Sequence, residues 1–180
     1  LNSKSSGFVS IVHDPWRPVQ SDGGHLGQNP GLFDRSKLDK RLDIAVFQTH
    51  YLKENIHISG IPTLHIAVTS DQESFDICVA LSLISEEDGS INQFTTGFLR
   101  IKKAIKDIEN DYIINLHPTN ISITKGSKLR LSLSASAWPA IGVNPGHNNI
   151  RCGNTSIEHK ITTLNFNLEK SIMKINPFFK

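Results

Sequence analysis

Any chemistry in this chain must come from its histidines, serines, acids and two cysteines, so their spacing is the first question. The chain carries eight His. His50, His57 and His65 are seven and eight positions apart. Metal ligands supplied by one short segment lie about two to five apart, so these three do not form such a set. His13-Asp14 is a dipeptide suited to metal hydrolysis, but no second His cluster stands beside it, and no His-x-His pair of the cupin type occurs. We therefore assign no metal and no cofactor. Ser132, Ser134 and Ser136 alternate with Leu131, Leu133 and Ala135. That places them on the polar face of a strand, as solvated or cross-strand residues. A serine nucleophile of an α/β hydrolase needs a Gly-x-Ser-x-Gly elbow, and none is present. No catalytic residue is assigned. Gly23-Gly24-His25-Leu26-Gly27 lacks the Lys-Ser/Thr of a phosphate loop and opens no helix. The triplets beginning at Asn120 and Asn154 match a glycosylation pattern that matters only in a secreted eukaryotic protein. Trp16 and Trp138 remain. Each stands beside a proline, where an indole can close a core edge, line a ligand site or meet another domain.

The elements that must position these residues are strands. Leu129, Leu131, Leu133 and Ala135 alternate without a slip with Arg130, Ser132, Ser134 and Ser136, the period of a strand with one dry face. Gly126-Ser127 turns into it, and Trp138-Pro139, Gly142, Asn144, Pro145 and Gly146 break it. Similar alternation predicts strands over 64–69, 75–83 and 162–168, with further strands at 8–12, 44–49 and 112–116 and a short connector or strand at 120–124. Glu87-Asp88-Gly89-Ser90 reads as a hairpin turn, with 92–100 returning as the partner and Gly97 at a bulge. Residues 34–41 suit a helical turn. Residues 102–110 fit a short helix or an irregular excursion equally. Strands apolar on one face only, with frequent turns between them, give an all-β sandwich or jelly roll rather than a barrel. Residues 1–43 are punctuated by Gly and Pro and form a long irregular lead-in; 44–180 form the sandwich.

Composition narrows the class further. The chain has 180 residues, enough to bury roughly 70% of its unfolded surface without staples. A net charge of +2 from scattered Lys and Arg gives no case for nucleic acid. No apolar run approaches the ~20 residues of a membrane span. Two Cys are too few for a disulfide framework, and two reduced thiols suit a cytoplasmic protein. The first residue is Leu with no signal pattern after it, which suggests a piece of a longer chain.

Four stretches, in order, resemble a known family. Val12-His-Asp-Pro-Trp-Arg-Pro-Val19 with Gly23-Gly24 is similar to its Tyr-Asp-Pro…Pro-Val…Gly-Gly passage. Asp43-Ile-Ala-Val-Phe-Gln-Thr49 with Ile58-Ser-Gly60 is similar to its first sandwich strands. Asp88-Gly89 and Gly97-Phe-Leu-Arg100 are similar to its hairpin and Gly-Ile-Leu-Arg strand. Gly126-Ser-Lys-Leu-Arg-Leu131 through Trp138-Pro139 to Asn144-Pro145 is similar to its Arg-Ile-Arg-Leu…Phe-Pro…Asn-Pro signature. The family is the C-terminal, non-catalytic jelly-roll domain of X-Pro dipeptidyl-peptidases, cocaine esterases and α-amino-acid ester hydrolases. Trp138 stands where that family often has Phe.

The resemblance implies an all-β, jelly-roll (galactose-binding-like) β-sandwich with no catalytic centre. It implies as partner an α/β-hydrolase domain in the same or a longer chain. A small ester or amide substrate would be met only through that domain, with no nucleic acid and no membrane; homo-oligomerisation stays open. Trp16, Trp138, Pro139, Asn144 and His147 become the candidates for a domain interface or pocket wall. The other reading is a stand-alone carbohydrate- or ligand-binding jelly roll, for which two Trp and two Tyr supply little of a sugar platform.

Overall fold

The computed structural model describes residues 7–24, 29–155, 157–175 and 177–179. His25, Leu26 and Gly27 of the Gly-rich crossing, and Ser156 of the second glycosylation triplet, lie outside the described residues. Among the described residues, twelve strands follow in chain order: β1 (Phe8–His13), β2 (Phe33–Asp34), β3 (Ala45–Gln48), β4 (Ile56–Gly60), β5 (Thr63–Ser70), β6 (Phe75–Ile84), β7 (Ile91–Ile101), β8 (Asn110–Asn115), β9 (Thr119–Ile123), β10 (Lys128–Ser134), β11 (Thr162–Lys174) and β12 (Pro177–Phe179). The expected helical turn is a single 3-10 turn, Leu38–Lys40.

The strands form two antiparallel sheets, β1-β11-β5-β8 and β2-β7-β6-β10-β3, with a small third sheet, β12-β4-β9. Alternation explains the packing. Leu131 of β10 stands opposite Leu81 of β6, and Leu133 opposite Val79, so their apolar side chains share one face. That face meets Leu64, Ile66, Leu164 and Phe166 of the other sheet in the main core. A second cluster, from Leu52, Ile56, Ile58, Ile123 and Leu129, ties the small sheet to the sandwich. The chain is an all-β sandwich, as its alternation predicts.

The serine face of β10 departs from expectation. Ser132, Ser134 and Ser136 are buried, and so are Asp76, Cys78, Ala80 and Ser82 on the same side of β6. The lead-in lies over this face instead of water. Small side chains at Cys78, Ala80, Ser132 and Ser134 give it room. Val19 donates its N–H to Ser136 Oγ at 2.8 Å. Asp39, from the 3-10 turn, accepts from Ser132 Oγ at 2.9 Å, Arg130 at 3.3 Å and Arg35 Nε at 2.9 Å. Arg35 reaches on to Gln93 at 2.8 Å. The polar period, read as solvated or cross-strand, is a second, polar packing layer.

Two local expectations also change. The bulge in the β6–β7 hairpin is at Phe94, not Gly97: Leu81 pairs with Thr95 and Ser82 with Gln93, so Phe94 is the extra residue. Gly97 has another cause. A Cβ there would stand 2.8 Å from Asn115 O and 2.9 Å from Leu116 Cα, so only glycine admits that close crossing. Residues 102–109 form the irregular excursion rather than a helix. Lys103 and Asp107 both take positive φ there, pinned by bonds from Ala104 N to Glu73 O and from Asp107 N to Ser70 O.

Candidate functional site

The sandwich has one end rich in long connections. β1 leaves there into the lead-in, β10 reaches β11 through residues 135–161, and residues 71–74 and 102–109 cross there between strands. The longest of these loops is held by an ion pair beneath it. Asp76 opens β6 with its carboxylate fully buried. Arg100, its register partner on β7, donates Nε to Oδ1 at 2.9 Å and Nη2 to Oδ2 at 2.8 Å. This planar fork is the strong form of an ion pair. Hydrogen bonding to Asp76 raises the Arg100 pKa.

Asn144 joins the loop to that pair. Its Nδ2 donates to Asp76 Oδ1 at 2.9 Å, and its Oδ1 accepts from Ser74 Oγ at 3.0 Å and Gly146 N at 3.1 Å. Arg100 also donates to Gly142 O. Asp76 thus accepts three hydrogen bonds from within the chain and is fully buried. Its work is to hold residues 142–146 against the sheet.

Histidines line the same end. His13 ends β1 opposite Thr162 and is buried. Burial pushes its imidazole below the ordinary value, against the opposing pull of Asp76, Asp43 and Asp14. His147 is buried too, not an exposed loop residue. The Nε2 atoms of His13, His147 and His159 are buried without a hydrogen-bond partner among the described residues. The described residues contain no group of three His, Cys, Asp or Glu placed to hold a metal ion. Both cysteines are free, and burial raises the Cys78 thiol far above its usual range.

Large apolar side chains are exposed at this end among charged ones such as Arg17, Lys103 and Glu158. Trp16 is 55% exposed and rests on His159 with ring centroids 5.7 Å apart. Leu42 is 97% and Ile157 96% exposed, and Ile105 and Ile161 are also open. Leu42 sits on a braced loop: Arg41 forks onto Asp43 at 2.8 and 2.6 Å and donates to Arg17 O at 2.7 Å. Trp138 is half exposed and Pro139 exposed, joined by a cis peptide bond. Trp138 is locked to the lead-in by Trp138 N to Val19 O at 2.9 Å and Ser21 N to Trp138 O at 2.7 Å. Of the five residues singled out by sequence, Trp16, Trp138 and Pro139 are on the surface, while Asn144 and His147 lie behind it.

Asp76 and Arg100 were missed by reading motifs. Their signal was available: an Asp inside an apolar run, and an Arg at the mirror position across the Asp88-Gly89 turn once one bulged residue is allowed. Leu42 and Ile157 carry no local signal, because solvent exposure of a loop residue is set by what packs around it.

Residues 8–171 match the model of the X-Pro dipeptidyl-peptidase C-terminal non-catalytic domain. A comparison with curated proteins finds no match. Among solved structures, an aminopeptidase from a marine sediment Thaumarchaeota archaeon matches with a TM-score of 0.83 at 17% identity, over 97% of this chain and 33% of that one. An α-amino acid ester hydrolase matches with a TM-score of 0.83 at 17% identity, over 98% and 33%. A CocE/NonD family hydrolase from Staphylococcus aureus matches with a TM-score of 0.60 at 13% identity, over 99% and 34%. These likenesses speak for the fold, and the chain spans about a third of the length of each. With the family model covering nearly the whole sandwich, the chain belongs to the family of X-Pro dipeptidyl-peptidase C-terminal non-catalytic domains.

Proposed function

We propose that this chain is the accessory domain of a serine hydrolase that cleaves ester or amide bonds, and that it docks on an α/β-hydrolase domain of the same protein. The observation that carries this reading is the set of exposed large apolar side chains on the loops at one end of the sandwich. Leu42 and Ile157, almost wholly exposed, stand on those loops with the exposed Trp16, Ile105 and Ile161, and the Asp76–Asn144 bond is buried beneath the longest loop. An exposed apolar surface on a rigid base is what a permanent domain contact needs. Trp16, Trp138 and Pro139 would touch the partner domain or wall its pocket. Asn144 and His147 would fix the loop from behind. Residues 1–43 serve as the lead-in from the catalytic domain and 44–180 as the sandwich. A small ester or amide would meet this chain only at that boundary.

Two reduced thiols suit a cytoplasmic location, and no helix of the described residues is long and apolar enough to cross a membrane. The test of the accessory role is turnover. The isolated chain should not hydrolyse p-nitrophenyl esters or Xaa-Pro p-nitroanilides, whereas the whole protein carrying it should hydrolyse one of them. Turnover by the isolated chain that survives replacement of every Ser would sink the proposal.

A further inference from the structure

A cleft of about 390 Å³ opens between the two main sheets, at the β3 edge and away from the docking end. One wall is Leu81, Leu129, Leu131 and Leu133 with Phe47 of β3; the other is Leu64 and Ile66 of β5. Leu131, Phe47, Leu168 and Met173 belong to the core yet are only half buried, because the cleft reaches them.

A local irregularity borders this room. β11 pairs regularly with β5 as far as Asn167–Ala67 and resumes at Ile172–His65, so residues 168–171 stand opposite Ile66 alone. The β1 pairing reaches the bulge, with Phe8 opposite Asn167 and Leu168 N donating to Gly7 O at 3.0 Å. The four bulged residues line the cleft, and the bulge is fastened there. Ser171 Oγ donates to Asn167 O at 2.6 Å and accepts from Ala67 N at 3.2 Å. Glu169 N donates to Asn167 Oδ1 at 3.2 Å, and Asn167 Nδ2 donates to Glu109 at 2.8 Å. A bulge fixed by that many bonds is a built feature of a sheet, and bulges commonly border sites.

The size is that of a small-molecule pocket, more than twice the roughly 150 Å³ of an apolar cavity that takes up benzene. The apolar part of the lining is aliphatic but for the Phe47 ring and the Met173 thioether, so it suits methylene chains better than stacked rings. At the rim are Gln48, Thr49, Glu169, Lys170 and Ser171. Lys170 is paired with Glu109, and Glu169 adds a negative charge, so the rim carries no excess of positive charge for an anion.

We propose that this cleft binds a linear aliphatic chain with an uncharged polar head, of the fatty alcohol or alkyl ester class, the chain among the leucines and the head at Gln48 and Ser171. The test is titration of the chain with 1-decanol and, separately, decanoate, followed by ¹³C-methyl NMR of the leucines. Expected are saturable one-to-one shifts at Leu64, Leu131 and Leu133, with decanoate at least tenfold weaker. Leu131→Trp, which fills the cleft, should weaken 1-decanol at least tenfold; Leu168→Trp gives the same test from the opposite wall if the first variant does not fold. Absence of saturable shifts up to the solubility limit, shifts confined to other leucines, or decanoate binding as tightly as the alcohol would overturn the proposal.

Discussion

The amide of Asn144 donates to the carboxylate of Asp76 at 2.9 Å, joining the loop after β10 to the first residues of β6. The two residues are 68 positions apart, and the contact is buried. Its partner bond, Arg100 to Asp76, closes the triangle. Asn144→Ala should therefore destabilise the fold by about 2 kcal/mol, because Ser74 and Gly146 lose their acceptor and Asp76 loses a donor. Arg100→Met should cost more, about 3–5 kcal/mol, because it leaves a buried carboxylate unpaired. Asp76→Asn should cost less than Arg100→Met, since Arg100 keeps a path to water. Urea unfolding of the three variants checks the order.

Acid should loosen the same end through His13. Its imidazole titrates near 6.5 when unfolded and lower when folded, because burial disfavours the charged form. The unfolded chain therefore takes up the proton first as pH falls. The stability tied to neutral His13 is fully present above about 6.5 and is lost as pH drops from there toward the folded value. The carboxylates with lowered pKa, Asp34, Asp88 and Glu109, act in a more acidic window. The urea midpoint should fall between pH 7.5 and 5.5 in the parent chain and fall less in His13→Gln.

Asp39 holds the lead-in to the serine face by bonds to Arg35, Arg130 and Ser132. Asp39→Ala would leave two buried guanidinium groups facing each other, at a cost of about 3–5 kcal/mol. Hydrogen exchange should rise first over residues 34–41 and then on the outward side of β10. Equal exchange in parent and variant would show that the lead-in is held by other contacts.

Thiol chemistry should separate the two cysteines. Cys78 is buried with its pKa pushed far up, and Cys152 is half buried with its pKa raised less, again mainly by burial. In native protein, Ellman's reagent should titrate Cys152 slowly and Cys78 not at all until denaturant is added. Rapid reaction of both would contradict the placement of Cys78 beneath the lead-in.

How much of this was legible in the sequence follows from what each feature depends on. The β10 strand was readable because Leu129, Leu131 and Leu133 face a core, and that demand writes a period of two. The same period at Ser132 and Ser134 was readable but ambiguous. Serine suits water, and it equally suits a close-packed layer that leaves room for another segment. Only the lead-in's path, fixed by Asp39 and Val19 far away in sequence, decides between them. The 102–109 excursion has too few apolar residues to commit to a helix, and its positive φ angles come from distant carbonyls at Glu73 and Ser70. Of the candidate site, Trp16 and Trp138 were visible as unusual residues beside prolines. Leu42 and Ile157 were not, because nothing in their neighbours marks them as uncovered.

The exposed end itself can be separated from the fold by mutation. Leu42→Asp and Ile157→Asp change side chains that are 97% and 96% exposed, so each should move stability by no more than about 0.5 kcal/mol. In the whole protein the double variant should loosen the domain contact by at least tenfold, read as faster limited proteolysis in the lead-in. Thermal unfolding of the isolated chain is the control, and a large drop there would show that these residues serve the sandwich instead.

The most direct measurement is hydrogen exchange of the isolated chain compared with the same residues in the whole protein. The docking account predicts added protection at residues 14–17, 40–43, 103–108 and 157–161, with the β4–β9 end unchanged. Protection that appears at the β4–β9 end instead, or nowhere, would contradict it.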